Sequence, residues 1–89
     1  MYYVYRIRSC TSPDESFLGS SRNVKKRLKM HNAGLVDATR EARPWKLTFY
    51  AAFSRKQRAE AFLDFLKSPV GKSFGRKRLW QVVEDTGNL

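Results

Sequence analysis

The stretch Tyr2-Tyr3-Val4-Tyr5-Arg6-Ile7-Arg8, answered after a turn by Phe17-Leu18-Gly19, decides the fold of this chain. Residues 2 to 8 are aromatic and β-branched at alternate positions. An extended strand puts Tyr3, Tyr5 and Ile7 on one side and Val4, Arg6 and Arg8 on the other. Between the two runs lies Thr11-Ser12-Pro13-Asp14, where Pro13 presets φ and Asp14 can bond local backbone. Phe17-Leu18 then reads as a second short strand, stopped by Gly19, and the two strands around a turn suggest a hairpin.

Working outward, Asn23 is a fitting N-cap and Gly34 a fitting residue just past a helix end. Between them Val24, Arg27, Leu28 and His31 recur at helical spacing, while Lys25, Lys26 and Lys29 point elsewhere. Leu35 to Arg43 reads as a polar loop closed by Pro44. Lys46 to Phe53 reads as a third strand, with Leu47, Phe49 and Ala51 in alternation. Ser54 can cap a second helix whose apolar stripe is Ala59, Phe62, Leu63 and Leu66. Pro69 and Gly71 interrupt that helix, and residues 72 to 80 suggest a third, with Phe74 and Leu79 facing inward. The element order β-β-α-β-α-α implies a mixed α/β (α+β) domain, a small three-stranded, mainly antiparallel sheet flanked by helices. One domain over residues 1–80 and a frayed tail over 81–89 are expected.

The chain has 89 residues and a formal net charge of +10, from 18 basic and 8 acidic side chains. Such an excess repels itself unless something anionic lies against it, and nucleic acid, DNA first, is the natural partner. The bland alternative is a high-pI protein whose charge only keeps it in solution. Basic residues gather in three groups: Arg22, Lys25, Lys26 and Lys29; Arg55, Lys56 and Arg58; and Lys72, Arg76, Lys77 and Arg78. Of these, Arg22, Lys25, Lys26, Lys29, Arg55, Lys56, Arg76 and Lys77 are the candidate nucleic-acid contacts, against the reading that they are solvated helix faces. No segment approaches the roughly 20 apolar residues needed to span a bilayer, so no membrane partner is expected. The N-terminal residues lack a basic region followed by an apolar one, which points to a cytoplasmic location. Cys10 is the only cysteine, too few for an internal disulfide or a thiolate zinc site.

Read as an ordered set, the motifs resemble the GIY-YIG nucleases. Tyr3-Val4-Tyr5 is similar to the GIY element and Phe17-Leu18-Gly19 to the YIG element. Downstream follow Arg27-Leu28, His31-Asn32-Ala33-Gly34, Thr39, Pro44-Trp45-Lys46-Leu47, Leu66-Lys67 and Arg76-Lys77-Arg78-Leu79. The resemblance runs from about Tyr2 to Trp80 and is closest to small stand-alone, excision-repair-nuclease-like members. It implies a metal-dependent phosphodiesterase, with tyrosines and a histidine managing the attacking water. An arginine would stabilise phosphate charge, and a glutamate from the second helix would hold one divalent cation, Mg²⁺ or Mn²⁺. Hydrolysing an anionic diester requires such positive charge and a positioned base.

Carried over residue by residue, the resemblance assigns catalysis to Tyr5, Arg27 and His31, with Tyr3 as a further candidate. Each has a plainer reading: Tyr5 as a half-buried strand aromatic, Arg27 as a solvated arginine. His31 ends the first helix, where the dipole favours its protonation, and so can be a structural cap. Two positions depart from the family. Phe17 stands at the YIG tyrosine and has no hydroxyl. Leu63 stands at the metal-binding glutamate and has no oxygen for a hard cation. Glu60, about 60° away around the helix, is a weak substitute ligand. The sequence therefore supports either an endonuclease with a weakened centre or a nucleic-acid-binding module on the same fold.

Overall fold

A computed structural model describes residues 1–80 of the chain; the tail expected over 81–89 lies outside the described residues. Strands β1 (Tyr2–Ser9), β2 (Ser16–Ser21) and β3 (Trp45–Phe53) form one antiparallel sheet in the order β2-β1-β3. The hairpin is present, and β3 pairs with the other edge of β1. Helices α1 (Val24–Asn32), α2 (Lys56–Lys67) and α3 (Pro69–Phe74) complete the mixed architecture expected from the sequence.

With β1 central, both of its faces are covered. Tyr5 and Ile7 pack with Ala42, Trp45, Phe17 and with Val24 and Leu28 of α1. Val4 packs with Ala59, Phe62, Leu63 and Leu66 of α2 and with Leu18 and Phe53. The alternation read in residues 2–8 thus feeds two half-cores, one on each side of the sheet. Arg6 belongs to the second side, buried under Trp80 with its guanidinium carbon 4.9 Å from the ring centre.

Several local expectations are corrected. Gly19 does not stop β2, which runs through it to Ser21. The glycine is needed for space: a Cβ there would lie 2.7 Å from the Tyr5 hydroxyl and 3.0 Å from the Phe17 ring. In β3 the alternation of Leu47 with Phe49 and Ala51 is broken by a bulge. Arg6 pairs with Phe49 but Ile7 pairs with Leu47, so Thr48 is the extra residue and Leu47 joins the Tyr5 face. The Thr48 hydroxyl accepts from the Arg6 guanidinium at 2.9 Å and donates to the Arg6 carbonyl at 3.2 Å.

Residues expected as a loop after α1 contain a 3-10 helix, Asp37–Ala42, ahead of a cis Arg43–Pro44 peptide. Gly34 does take the left-handed conformation expected after a helix, with φ 78°. Ser54 does not cap α2; Arg55 occupies that position without a side-chain bond to the helix. The third helix starts earlier than expected, with Ser68 as N-cap and Pro69 in the first turn, and continues as a π-helix over Gly75–Trp80. Gly71, read as a breaker, is a contact glycine: a Cβ there would overlap the Phe65 carbonyl of α2. Phe74 is 41% exposed instead of facing inward, because its ring meets the equally peripheral Phe65 ring edge-on.

Candidate functional site

The face of the sheet under α1 brings Tyr5, Arg27, His31 and Phe17 together. Tyr5 and Gly19 are directly paired across β1 and β2, so the hydroxyl end of the Tyr5 ring passes over a residue without a side chain and reaches α1. There it meets His31 Nε2 at 2.8 Å. His31 Nδ1 in turn meets the Thr39 hydroxyl at 2.7 Å, and that hydroxyl reaches the Val36 carbonyl at 3.4 Å.

The direction of this chain follows from its ends. A carbonyl only accepts, so Thr39 donates to Val36 and accepts from His31 Nδ1–H. His31 Nε2 is then a lone pair that accepts from the Tyr5 O–H. At the other end the Arg27 guanidinium lies near enough to the Tyr5 hydroxyl to favour its ionised form. With that direction every link from Tyr5 through His31 and Thr39 to the Val36 carbonyl is satisfied.

Elements outside the expected catalytic set hold this chain in place. The Trp45 indole donates to the Thr39 carbonyl at 2.8 Å. Asn32 clamps the backbone of Trp45 from both sides: its amide donates to the Trp45 carbonyl at 3.1 Å, and its oxygen accepts from the Trp45 N–H at 2.6 Å. Ser9 donates to the Ala42 carbonyl at 2.6 Å and so ties the 3-10 helix to the end of β1. The segments His31-Asn32, Thr39 and Pro44-Trp45 are therefore one unit in space. In the sequence Thr39, Asn32 and Trp45 stand only as members of the family pattern; a small hydroxyl and an amide at fixed offsets from a lone histidine are the signal for them.

Burial changes what the pair can do. Tyr5 is 1% exposed and His31 is fully buried. Phe17 closes over both, its ring centre 5.0 Å from that of His31 and 6.4 Å from that of Tyr5. Burial pushes the Tyr5 phenol above its ordinary value, against the hydrogen bond and charge of Arg27, which pull it down. Burial, and after it the Arg27 charge, push His31 below its ordinary value. Burial thus opposes the helix dipole at this helix end and favours the neutral imidazole.

The two ordinary values, 10.0 and 6.5, are already about 3.5 apart and both shifts widen the gap. Both shifts therefore disfavour moving the Tyr5 proton to His31.

The remaining candidates lie elsewhere. Tyr3 does not join the chain; it packs edge-on against Tyr50, with centres 6.1 Å apart. Leu63 belongs to the apolar cluster around Val4, on the opposite side of the sheet from Tyr5. Glu60 is exposed, 3.9 Å from the Lys56 ammonium, in a groove with Tyr2, Tyr3 and Arg22. No group of three His, Cys, Asp or Glu side chains among the described residues is placed to share a metal ion. A divalent cation of the family type does not fit the residues present, since Leu63 offers carbon where an oxygen is required. Arg22, Lys25, Lys26, Lys29, Arg55, Lys56, Arg76 and Lys77 are all exposed. Cys10 is exposed and free. No helix among the described residues is long and apolar enough to cross a membrane.

Among known proteins, no curated protein and no solved structure matches the chain at a significant level. A family model does match: the GIY-YIG catalytic domain, over residues 1–75. That span contains the hairpin, the Tyr5–His31–Thr39 chain and Arg27, and it covers most of the sequence; the chain belongs to the GIY-YIG family.

Proposed function

We propose that this chain binds DNA through a GIY-YIG nuclease fold whose metal-dependent hydrolysis has been lost. The observation that carries the reading is Leu63, packed among Val4, Ala59 and Leu66 where the family places a carboxylate. Phe17 supports it, because a ring without a hydroxyl seals Tyr5 and His31 from solvent. Phosphate contact needs only cations at the surface and survives the loss of a metal ligand. All eight candidate contacts are exposed.

The binding should be electrostatic and steeply dependent on salt. If four of the eight cations each neutralise one phosphate, affinity falls about 100-fold between 50 and 200 mM salt. Plasmid nicking with Mg²⁺ or Mn²⁺ tests the loss of hydrolysis. The expected result is no cleavage by the parent chain, and metal-dependent cleavage by it overturns the loss of hydrolysis. Absence of any nucleic-acid binding overturns the proposal and leaves a protein-interaction domain with acidic partners.

A second reading, a weakened endonuclease, is favoured by one observation: Tyr5, His31 and Thr39 form a continuous hydrogen-bonded chain near Arg27. Metal-dependent nicking by the parent that disappears in Arg27→Ala establishes it and requires a ligand other than residue 63.

A further inference from the structure

At the end of the sheet Tyr50, exposed, and Tyr3, half-buried, take part in neither the Tyr5 centre nor the core clusters. Tyr50 is the direct cross-strand partner of Tyr5, yet its side chain is 59% exposed. It stands edge-on to Tyr3 on the face that carries α1. With Arg22, Lys25 and Leu47 the two rings line an open groove of about 370 Å³, within the range of small-molecule sites. A second groove of about 370 Å³ shares Tyr3 and Arg22 with the first. It continues over Ser20 and Ser21 to Tyr2, Lys56 and Glu60. Arg22 bridges the two, its guanidinium carbon 5.2 Å above the Tyr2 ring centre.

These residues converge because of the register. Tyr3 pairs with Ser21 at the end of β2 and with Ala52 near the end of β3. Asn23 then starts α1 just above, capped by its own side chain. The result is a track across one end of the sheet, in which tyrosines alternate with cations. Arg22 and Lys25 come from the first basic group and Lys56 from the second. The one carboxylate on the track, Glu60, lies 3.9 Å from Lys56.

We infer that this track binds an unpaired stretch of DNA, with bases stacked on Tyr50 and Tyr3 and phosphates held by Arg22, Lys25 and Lys56. The inference deepens the proposed DNA binding and rests on it. A duplex hides its base faces and presents only phosphates, so exposed rings add nothing to duplex binding. An unpaired base has a free π-face, and stacking on an aromatic side chain tolerates any sequence. The charge around the rings selects an anionic occupant with planar groups. Tyr50 and Tyr3 are the neighbours of Tyr5 on the same face of the sheet, so the track runs beside the family centre.

Fluorescence anisotropy with chelator present separates this inference from hydrolysis. Three labelled probes are compared: a blunt duplex, the same duplex with a short single-stranded overhang, and that overhang with abasic sugars. The parent chain is expected to bind the base-containing overhang about tenfold more tightly than the blunt duplex, the scale of one stacked base. The abasic overhang should lose that advantage although its phosphates remain. Tyr50→Ala should bring the overhang-to-duplex ratio close to one with duplex affinity unchanged, and Tyr50→Trp should keep the preference. Equal binding of overhang and blunt duplex by the parent overturns the inference while leaving DNA binding intact. So does a Tyr50→Ala variant that retains the preference or weakens all probes alike. Failure to bind any probe overturns the DNA reading itself, and this inference with it.

Discussion

The buried chain from Tyr5 to Val36 predicts an unusual pattern at Thr39. Thr39→Val keeps the shape of the side chain but removes the acceptor for His31 Nδ1–H, 2.7 Å away in a fully buried site. An unpaired buried donor costs about 1–3 kcal/mol, so a loss of about 2 kcal/mol is expected. For a domain of this length that lowers Tm by about 10 °C. Thr39→Ser keeps the hydroxyl and loses one methyl, which costs under about 1 kcal/mol. The polar substitution should therefore be better tolerated than the apolar one, the reverse of the usual preference in a core. Thermal unfolding followed by circular dichroism measures both. Nitrogen NMR adds a direct readout: the parent should show neutral His31 as the Nδ1–H tautomer, and Thr39→Val should shift it towards Nε2–H. A Val variant as stable as the Ser variant, or a parent histidine protonated on Nε2, refutes the direction assigned to the chain.

Other outcomes follow from the same geometry. His31 has a folded pKa below its ordinary 6.5, so the unfolded chain binds the extra proton first. Stability should fall as pH drops from about 6.5 towards the folded value, and His31→Gln should flatten that limb in pH-dependent urea titrations. Tyr5 has a folded pKa above its ordinary 10.0, so its contribution is present below about pH 10 and is lost as pH rises towards the folded value; Tyr5→Phe removes that dependence. Gly19→Ala should destabilise by about 1–3 kcal/mol and break the Tyr5–His31 bond, since the new methyl would stand 2.7 Å from the Tyr5 hydroxyl; a calorimetric Tm unchanged from the parent would contradict it. Leu63→Glu should cost about 2 kcal/mol by removing a leucine from the Val4 cluster, whereas Phe17→Tyr should cost less, which equilibrium unfolding can compare.

What the sequence made legible is what depends on local period. Residues 2–8 alternate and so declare a strand; Val24, Leu28 and His31 recur at helical spacing and so declare α1. The departures arise where a distant contact decides. The 3-10 helix at Asp37–Ala42 has no apolar period, and it is held by Trp45, His31 and Ser9 bonding to Thr39 and Ala42. The bulge at Thr48 is closed by a hydroxyl bonded to Arg6, forty-two residues earlier in the chain. Gly19 and Gly71 look like punctuation, yet each marks a close approach by something remote, a tyrosine hydroxyl and a carbonyl of α2.

The same division runs through the site. Arg27, Tyr5 and His31 were named by pattern, and they meet because Gly19 admits the Tyr5 ring and Thr39 orients the imidazole. Neither their burial nor the lowered pKa of His31 could be read locally, since both depend on Phe17 and the packed sheet face. Position 63 shows why a missing ligand is not a vacant one. A leucine there does not leave a gap where a carboxylate would stand; it takes part in the Val4, Ala59 and Leu66 cluster on the far side of the sheet. Phe17 likewise fills its position by covering the tyrosine and histidine. At both positions a polar group of the family pattern is replaced by one that stabilises the core. Surface charge is untouched by those exchanges, so the proposed phosphate binding does not depend on the groups that hydrolysis would need.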